Sequence, residues 1–281
     1  MSPSITNHFS AKKFAEEIQQ DLKDNKVKLP TLPNIALEAL IVVNDCDSSV
    51  ADVSSIVEKD TAIAARLIRY ANSPIYHGNE PVRTVKNAIT RIGFDVVKNA
   101  ILTMSMKDVF KTSHKMIEKR MERLWKHSVA VASKSATLAE AFPHLNREEA
   151  MLAGLIHDVG AIPILMRACN YPELVAKESL LNQIISALHM PIGKIMLNLW
   201  KFDPGLIAVA ANHDKQDRVS KSEFVTYLDI IQVANILSYE NTDHPLAAID
   251  RESVPAFKKI ADAGADLGKD REQLFNSILN N

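Results

Sequence analysis

Only two cysteines occur in the 281 residues, Cys46 and Cys169. They lie far apart and form no Cys-x-x-Cys pair, which excludes a disulfide framework and a thiolate zinc site and fits a reducing compartment. Glycine is scarce, at 8 residues, and the Asn-Gly and Asp-Gly pairs of tight hairpins do not occur. No run approaches the roughly 18 uninterrupted apolar residues that span a bilayer. The opening MSPSITNHFSAKKF has no apolar signal core. A cytoplasmic protein without a membrane partner is the expectation. Charge of either sign is not in surplus: 33 Lys and Arg face 34 Asp and Glu. A dedicated nucleic-acid binder needs a basic excess to neutralise phosphates, so that partner is disfavoured.

What is present is apolar and helical. Apolar residues make up 47% of the chain, enough for one large core or two coupled lobes. They recur at spacings of three and four almost throughout, which predicts an all-α fold. Ser10 can cap a helix with Phe14, Ile18 and Leu22 on its inner face. Pro33 suits the start of a helix through Val43. Ser49 with Asp52 resembles a capping box, and Asp60 can cap the helix that buries Ile63 and Leu67. Gly93 is a natural end for the helix carrying Ala88 and Ile89, with Asp95 opening the next toward Phe110.

The polar stretch Lys111 to Arg120 reads as a partly helical connection between lobes, followed by a helix from about Met121 to Phe142. Asn146 with Glu149 caps the next helix, which Gly160 ends. Pro163, Pro172, Pro191 and Pro204 punctuate the following segment. Ser220 with Glu223 is expected to cap a helix holding Val225, Leu228 and Ile231. Short helices around Phe257–Ala263 and Leu274–Leu279 close the chain. Trp125 and Trp200 read as core anchors, and the charged residues Lys111 to Arg123 as a solvated face. Arg66 and Arg69 with Asn72 could touch an anion or partner.

The string most suggestive of chemistry is Gly154-Leu155-Ile156-His157-Asp158-Val159-Gly160. An adjacent histidine and aspartate near a helix end offer a nitrogen and a carboxylate to one cation. Ala153 and Gly154, one turn earlier, leave room for a neighbouring helix or a ligand. By itself the pair fits a core histidine bonded to a backbone carbonyl equally well. His127 lies upstream on a helix, and His189 and His213 downstream between apolar stretches. Imidazoles and carboxylates from separate helices are how a bundle builds an internal metal site, although four packed, satisfied histidines fit the same pattern.

His127 followed by His157-Asp158 resembles the HD superfamily of metal-dependent phosphohydrolases. Leu29-Pro30-Thr31-Leu32-Pro33, Ile56-Val57-Glu58-Lys59-Asp60, Leu67-Ile68-Arg69-Tyr70-Ala71-Asn72-Ser73 and Ala88-Ile89-Thr90-Arg91-Ile92-Gly93 narrow the resemblance to the HDOD family. These are HD-related output domains of bacterial signalling. The resemblance runs from about Val27 to Tyr239. It implies an HDOD-like helical bundle: an N-terminal helix or extension over 1–26, an N-terminal helical lobe over 27–115, and a degenerate HD-like lobe with C-terminal helices over 116–281. It also implies a standalone regulatory module that binds a protein partner or a nucleotide second messenger.

Departures from the related HD-GYP phosphodiesterases bear on catalysis. Ala161 stands where those enzymes carry lysine. Their paired histidines match Asn212-His213, and their final aspartate matches Asn235. Asparagine is neutral and offers a metal only a weak carbonyl oxygen. The expectation is a vestigial or single-cation site of His127, His157, Asp158, His189 and His213, converging in space, without catalytic residues. The metal-free form is favoured. If a cation is held, the donors suit iron, zinc, nickel or manganese. A metal-dependent phosphohydrolase acting on a nucleotide or phosphodiester is the alternative.

Overall fold

The computed structural model describes residues 10–24, 30–43, 45, 47–76 and 78–264. The first lobe is built from α2 (Asn34–Val43), α3 (Val50–Val57), α4 (Thr61–Ala71), α5 (Val85–Ile92) and α6 (Phe94–Val109), preceded by α1 (Ala11–Lys23). The second lobe holds α7 (Lys115–Ala139), α8 (Arg147–Ile156), α9 (Ala161–Ala168), the single turn α10 (Pro172–Val175) and α11 (Glu178–Leu199). It ends with α12 (Pro204–Asn212), α13 (Tyr227–Ser238) and α14 (Pro255–Asp262). Two short 3-10 turns separate α13 from α14, and no strand occurs among the described residues.

Local sequence explains most helix starts. The Ser10 hydroxyl accepts from the Lys13 amide at 3.3 Å. Ser49 and Asp52 form a reciprocal capping box. Asp60 accepts from Ala62 and Ile63, and Asn146 from Glu149. Each satisfies amides that the first turn leaves without a helical partner.

Several boundaries differ from the sequence reading, among them the end of α8, which falls at Ile156 and not at Gly160. α7 begins at Lys115, so only a short segment after Val109 joins the lobes: the Thr112 hydroxyl accepts from the His114 amide, and Ile117 and Met121 are already buried on the helix's inner face. α7 stops at Ala139, short of Phe142. α13 starts at Tyr227 under a Thr226–Asp229 capping box, not under Ser220 and Glu223. Asp229 is buried, and Arg218 and Lys259 both pair with it, which fixes the cap there. Pro191 lies inside α11 without breaking it. An interior proline costs about 3 kcal/mol in a helix, and the burial of Leu188, Ile192 and Met196 around it offsets that loss. The expected helix at Leu274–Leu279 lies outside the described residues.

One contiguous apolar core runs from Phe14 to Ile260 through both lobes. α7 packs along α8 and α13, α6 bridges α2 and α8, and α11 lies against α12 and α9. α1, expected as an extension, packs on the second lobe: Phe14 meets Tyr171 edge-on at 5.3 Å, and Arg167 pairs with Glu17 and Asp21. A second tie joins the lobes from within. Glu148 on α8 is 3% exposed, and the hydroxyls of Tyr70 and Tyr76 from the first lobe both donate to it. Trp200 is buried, and Trp125 meets Phe110 edge-on at 5.2 Å. Among the described residues, two segments are long and apolar enough to cross a membrane by length and composition, Arg147–Ala168 and Glu178–Leu199; the apolar window of the first is 83% buried in the bundle.

Candidate metal centre

The close approach of two helices creates the centre. A Cβ at Gly154 of α8 would lie 2.6 Å from the Ala132 Cα of α7. The space read from Ala153-Gly154 is therefore filled by a helix, and this contact brings His127 of α7 beside His157. α8 ends at Ile156 with His157 as its C-cap residue. α12 ends at Asn212 with His213 in the same position. At both ends the next residue is an aspartate, so two His-Asp pairs converge from two helix termini.

All four imidazoles turn Nε2 inward. The Nε2 atoms of His127 and His157 are 3.1 Å apart, and those of His189 and His213 are 3.2 Å apart. Asp158 sits between the two pairs. Its Oδ2 lies 3.6 Å from His127 Nε2 and 3.4 Å from His157 Nε2. Its Oδ1 lies 3.5 Å from His189 Nε2 and 3.1 Å from His213 Nε2. His127, His157 and Asp158 form one group spaced to hold a metal ion, and Asp158, His189 and His213 another. All five candidate residues from the sequence are thus together.

The outer nitrogens fix the tautomers. Nδ1 of His157 faces the Gly154 carbonyl at 2.6 Å, that of His189 the Ile185 carbonyl at 2.8 Å, and that of His213 the Val209 carbonyl at 3.2 Å. A carbonyl only accepts, so each of these Nδ1 atoms carries a proton and donates it. Each Nε2 is then a bare lone pair unless a second proton or a metal caps it. His189 and His213 point two such lone pairs at each other, and His157 points a third at His127. Facing lone pairs repel, so the cluster calls for positive charge at its centre.

Left to protons alone, the groups divide. Burial, then the neighbouring His157, pushes His127 down to about 4. Burial also opposes charge on His157, but Asp158 outweighs it and the value rises. For His189 burial is again overcome, by the Asp214 hydrogen bond and the Asp158 charge, and it is pushed up to about 9. Burial resists the charge of Asp158, yet the histidines, His157 foremost, hold it well below the usual carboxylate range.

The sequence reading missed Asp214. Its Oδ2 is 3.3 Å from His189 Nε2 and its Oδ1 3.6 Å from His213 Nε2. The available signal was that His213-Asp214 repeats the dipeptide His157-Asp158. Asn212 faces elsewhere: its Nδ2 donates to the Ala208 carbonyl and its Oδ1 accepts from Lys215. Its amide is thus engaged away from the imidazole cluster. Asn235 does face the cluster and donates to Asp214 Oδ1 at 3.1 Å. Ala161 is buried at the start of α9. Asn72 spends its amide on the backbone of Val82 and Ile68, away from the cluster.

A cavity of about 500 Å³ opens beside the cluster, lined by Asp158, Asn182, Ser186, His189, Asp214, Gln216, Asn235, Tyr239 and His244 among others. Among the described residues, no lysine or arginine lines it. The His127 side is covered: Tyr239 stacks on His127 with centroids 4.7 Å apart, and its hydroxyl lies 3.4 Å from His127 Nε2. The His189 side faces the cavity.

An all-helical bundle with a buried histidine–aspartate cluster at the ends of two helices defines a protein of the HD type. The HDOD domain profile matches residues 29–216, and the chain belongs to that family. A solved structure from Shewanella amazonensis SB2B, of a protein named as a candidate metal-dependent phosphohydrolase, is 28% identical. It aligns over 95% of this chain and 97% of its own, with a TM-score of 0.78. An HDOD domain protein of unknown function from Geobacter sulfurreducens is 24% identical over 94% of this chain and 91% of its own, with a TM-score of 0.66. A protein named as a candidate signal transduction protein, from Marinobacter aquaeolei VT8, shares the fold at 17% identity and a TM-score of 0.56, over 96% of this chain and 65% of its own. No curated protein matches the sequence significantly.

Proposed function

We propose that this chain is a regulatory module of bacterial signal transduction that works by binding: a divalent transition metal at the Asp158 cluster, and a phosphorylated ligand through it. The supporting observation is the inward convergence of four Nε2 atoms around one carboxylate. His157, His189 and His213 are locked in the metal-binding tautomer by backbone carbonyls. Asp158 offers one oxygen to each histidine pair, and Asp214 adds a second carboxylate on the cavity side. Imidazole-rich sites suit iron, zinc or nickel, and the two carboxylates extend the range to manganese. Bound there, the metal would polarise a phosphate oxygen. In this reading a protein partner distinguishes the loaded module from the empty one, in the cytoplasm.

Binding is favoured over turnover by what the cavity lacks. Ala161, buried at the start of α9, stands where the HD-GYP enzymes carry lysine, and among the described residues no lysine or arginine lines the cavity to share the charge of a departing phosphate. The second reading is a metal-dependent phosphohydrolase. Asp214 favours it, and so does the description of the Shewanella amazonensis protein. One experiment separates the two. Protein purified without chelator or affinity tag is analysed for metal, then assayed with nucleoside phosphates, cyclic dinucleotides and a generic phosphodiester. Near-stoichiometric metal with no turnover supports the binding module. Turnover above about 1 s⁻¹, ordinary for enzymes, that His157→Ala abolishes establishes the hydrolase. Protein that holds no metal even after manganese, iron or zinc is supplied refutes both.

A further inference from the structure

A cavity of about 760 Å³ lies where three parts of the chain meet: α1, the joint between the lobes, and α9. It is larger than the cavity of about 500 Å³ beside the metal cluster and shares no described lining residue with it. Small-molecule sites fall in this size range, about 300–1,000 Å³, and favour the interfaces between domains. All three parts contribute to its apolar wall: Ile18 from α1, Val109 at the end of α6, and Ile162, Pro163 and Met166 from α9. Met166 is only partly covered. The Thr112 hydroxyl donates weakly to its sulfur at 3.6 Å. A thioether chain adapts its shape to what lies against it.

The charge of this wall is spent within it. The Lys, Arg and Asp residues described in the lining pair with one another: Arg167 with Asp21, and Lys111 with Asp108 at 2.5 Å. Glu17 pairs with the Arg167 guanidinium as well. An anion entering here meets cations that already have partners, and a cation meets carboxylates that already have partners. Either would give up hydration without gaining a free counter-charge, and burying a charge unpaired is costly. What the wall does offer is apolar surface and hydrogen bonding, through the Thr31 hydroxyl, the Asn170 amide and the His114 ring.

We propose that this cavity is a second ligand site of the module, separate from the metal centre, and that it takes an uncharged small molecule with an apolar body and a hydrogen-bonding group. A molecule seated there touches α1 and both lobes at once. The site does not depend on whether the Asp158 cluster holds a metal.

The test is NMR on the full chain labelled at its methionine methyl groups, with the Met166 signal assigned through Met166→Leu. The probes are phenethyl alcohol, phenylacetate and phenethylamine, which share a body and differ in charge. Phenethyl alcohol should shift the Met166 signal saturably at millimolar concentration or below. It should bind at least about fivefold tighter than either charged probe, because a charge costs more to desolvate than a hydroxyl. Thr31 and Asn170 are exposed lining positions, so Thr31→Trp and Asn170→Trp fill the cavity without disturbing the core. Each should weaken phenethyl alcohol binding by at least about fivefold, the loss expected when a bulky ring takes the ligand's place. Absence of a saturable Met166 shift with all three probes overturns the site. Phenylacetate or phenethylamine binding as tightly as the alcohol overturns the ligand class. An affinity unchanged in both tryptophan variants places the probe elsewhere and overturns the site as well.

Discussion

Gly160 stands so close to His189 that a Cβ on it would lie 2.0 Å from the His189 carbonyl oxygen and 2.4 Å from the Gly193 amide nitrogen. Both obstacles are backbone, so neither can swing aside as a side chain would. The contact seats the start of α9, directly after Asp158, against the stretch of α11 that carries His189. It sets the spacing between Asp158 and His189.

Gly160→Ala should therefore do two things. Overpacking a tight contact costs about 1–3 kcal/mol, which urea unfolding would read. The forced separation should also weaken metal binding, because a ligand set displaced by a fraction of an ångström no longer converges. Wild-type stability and wild-type metal content in this variant would show that the contact does not position the site.

Asp214 and Asn212 are neighbours with opposite expectations. Asp214→Ala removes a carboxylate that faces His189 and His213, and metal affinity should fall at least about tenfold, as losses of supporting groups at metal sites do. Asn212→Ala removes an amide turned toward Ala208 and Lys215 and should leave metal content unchanged. Equilibrium competition with a chromophoric chelator measures both. The reverse ranking would restore Asn212-His213 as the inward pair.

Metal removal should lower stability. A ligand present at a hundred times its dissociation constant stabilises the folded state by about 2.7 kcal/mol. The melting temperature should drop when a strong chelator is added and recover when manganese or zinc is returned. Asp158→Asn, which removes the charge both histidine pairs share, should abolish that response. A melting temperature indifferent to chelator in metal-bearing wild type would contradict it.

Glu148 joins the two lobes through Tyr70 and Tyr76. Tyr70→Phe deletes one donor to a buried carboxylate, and bonds to charged groups contribute about 1.5–3 kcal/mol. Urea unfolding should show that loss within a single transition, because one continuous core spans both lobes. Two separated transitions, or early proteolytic release of halves between Val109 and Lys115, would mean that the lobes fold independently.

The sequence alone carried most of the helices and the main candidate ligands. Caps such as Ser49-Asp52 and Asp60 are local interactions within four residues, so they read directly from the chain. Three-and-four spacing marks the buried face for the same reason. His127, His157, Asp158, His189 and His213 were legible as a set because the motif spaces them on separate helices. Tertiary packing decided the rest. Whether Asn212 or Asp214 faces His189 depends on how the end of α12 is rotated against α11 and α13, and a one-residue change turns a side chain by about 100° at 3.6 residues per turn. That rotation also adds a carboxylate, Asp214, beside His189 and His213 at the end of α12 where the sequence reading counted only the neutral Asn212. The cap at Thr226 prevailed over Ser220 because Asp229 finds Arg218 and Lys259, partners distant enough in sequence to leave no local mark. α11 runs through Pro191 because burial outweighs one missing hydrogen bond. The stack of His127, Tyr239 and His244 likewise joins residues from α7 and from beyond α13, and only the folded chain places them face to face.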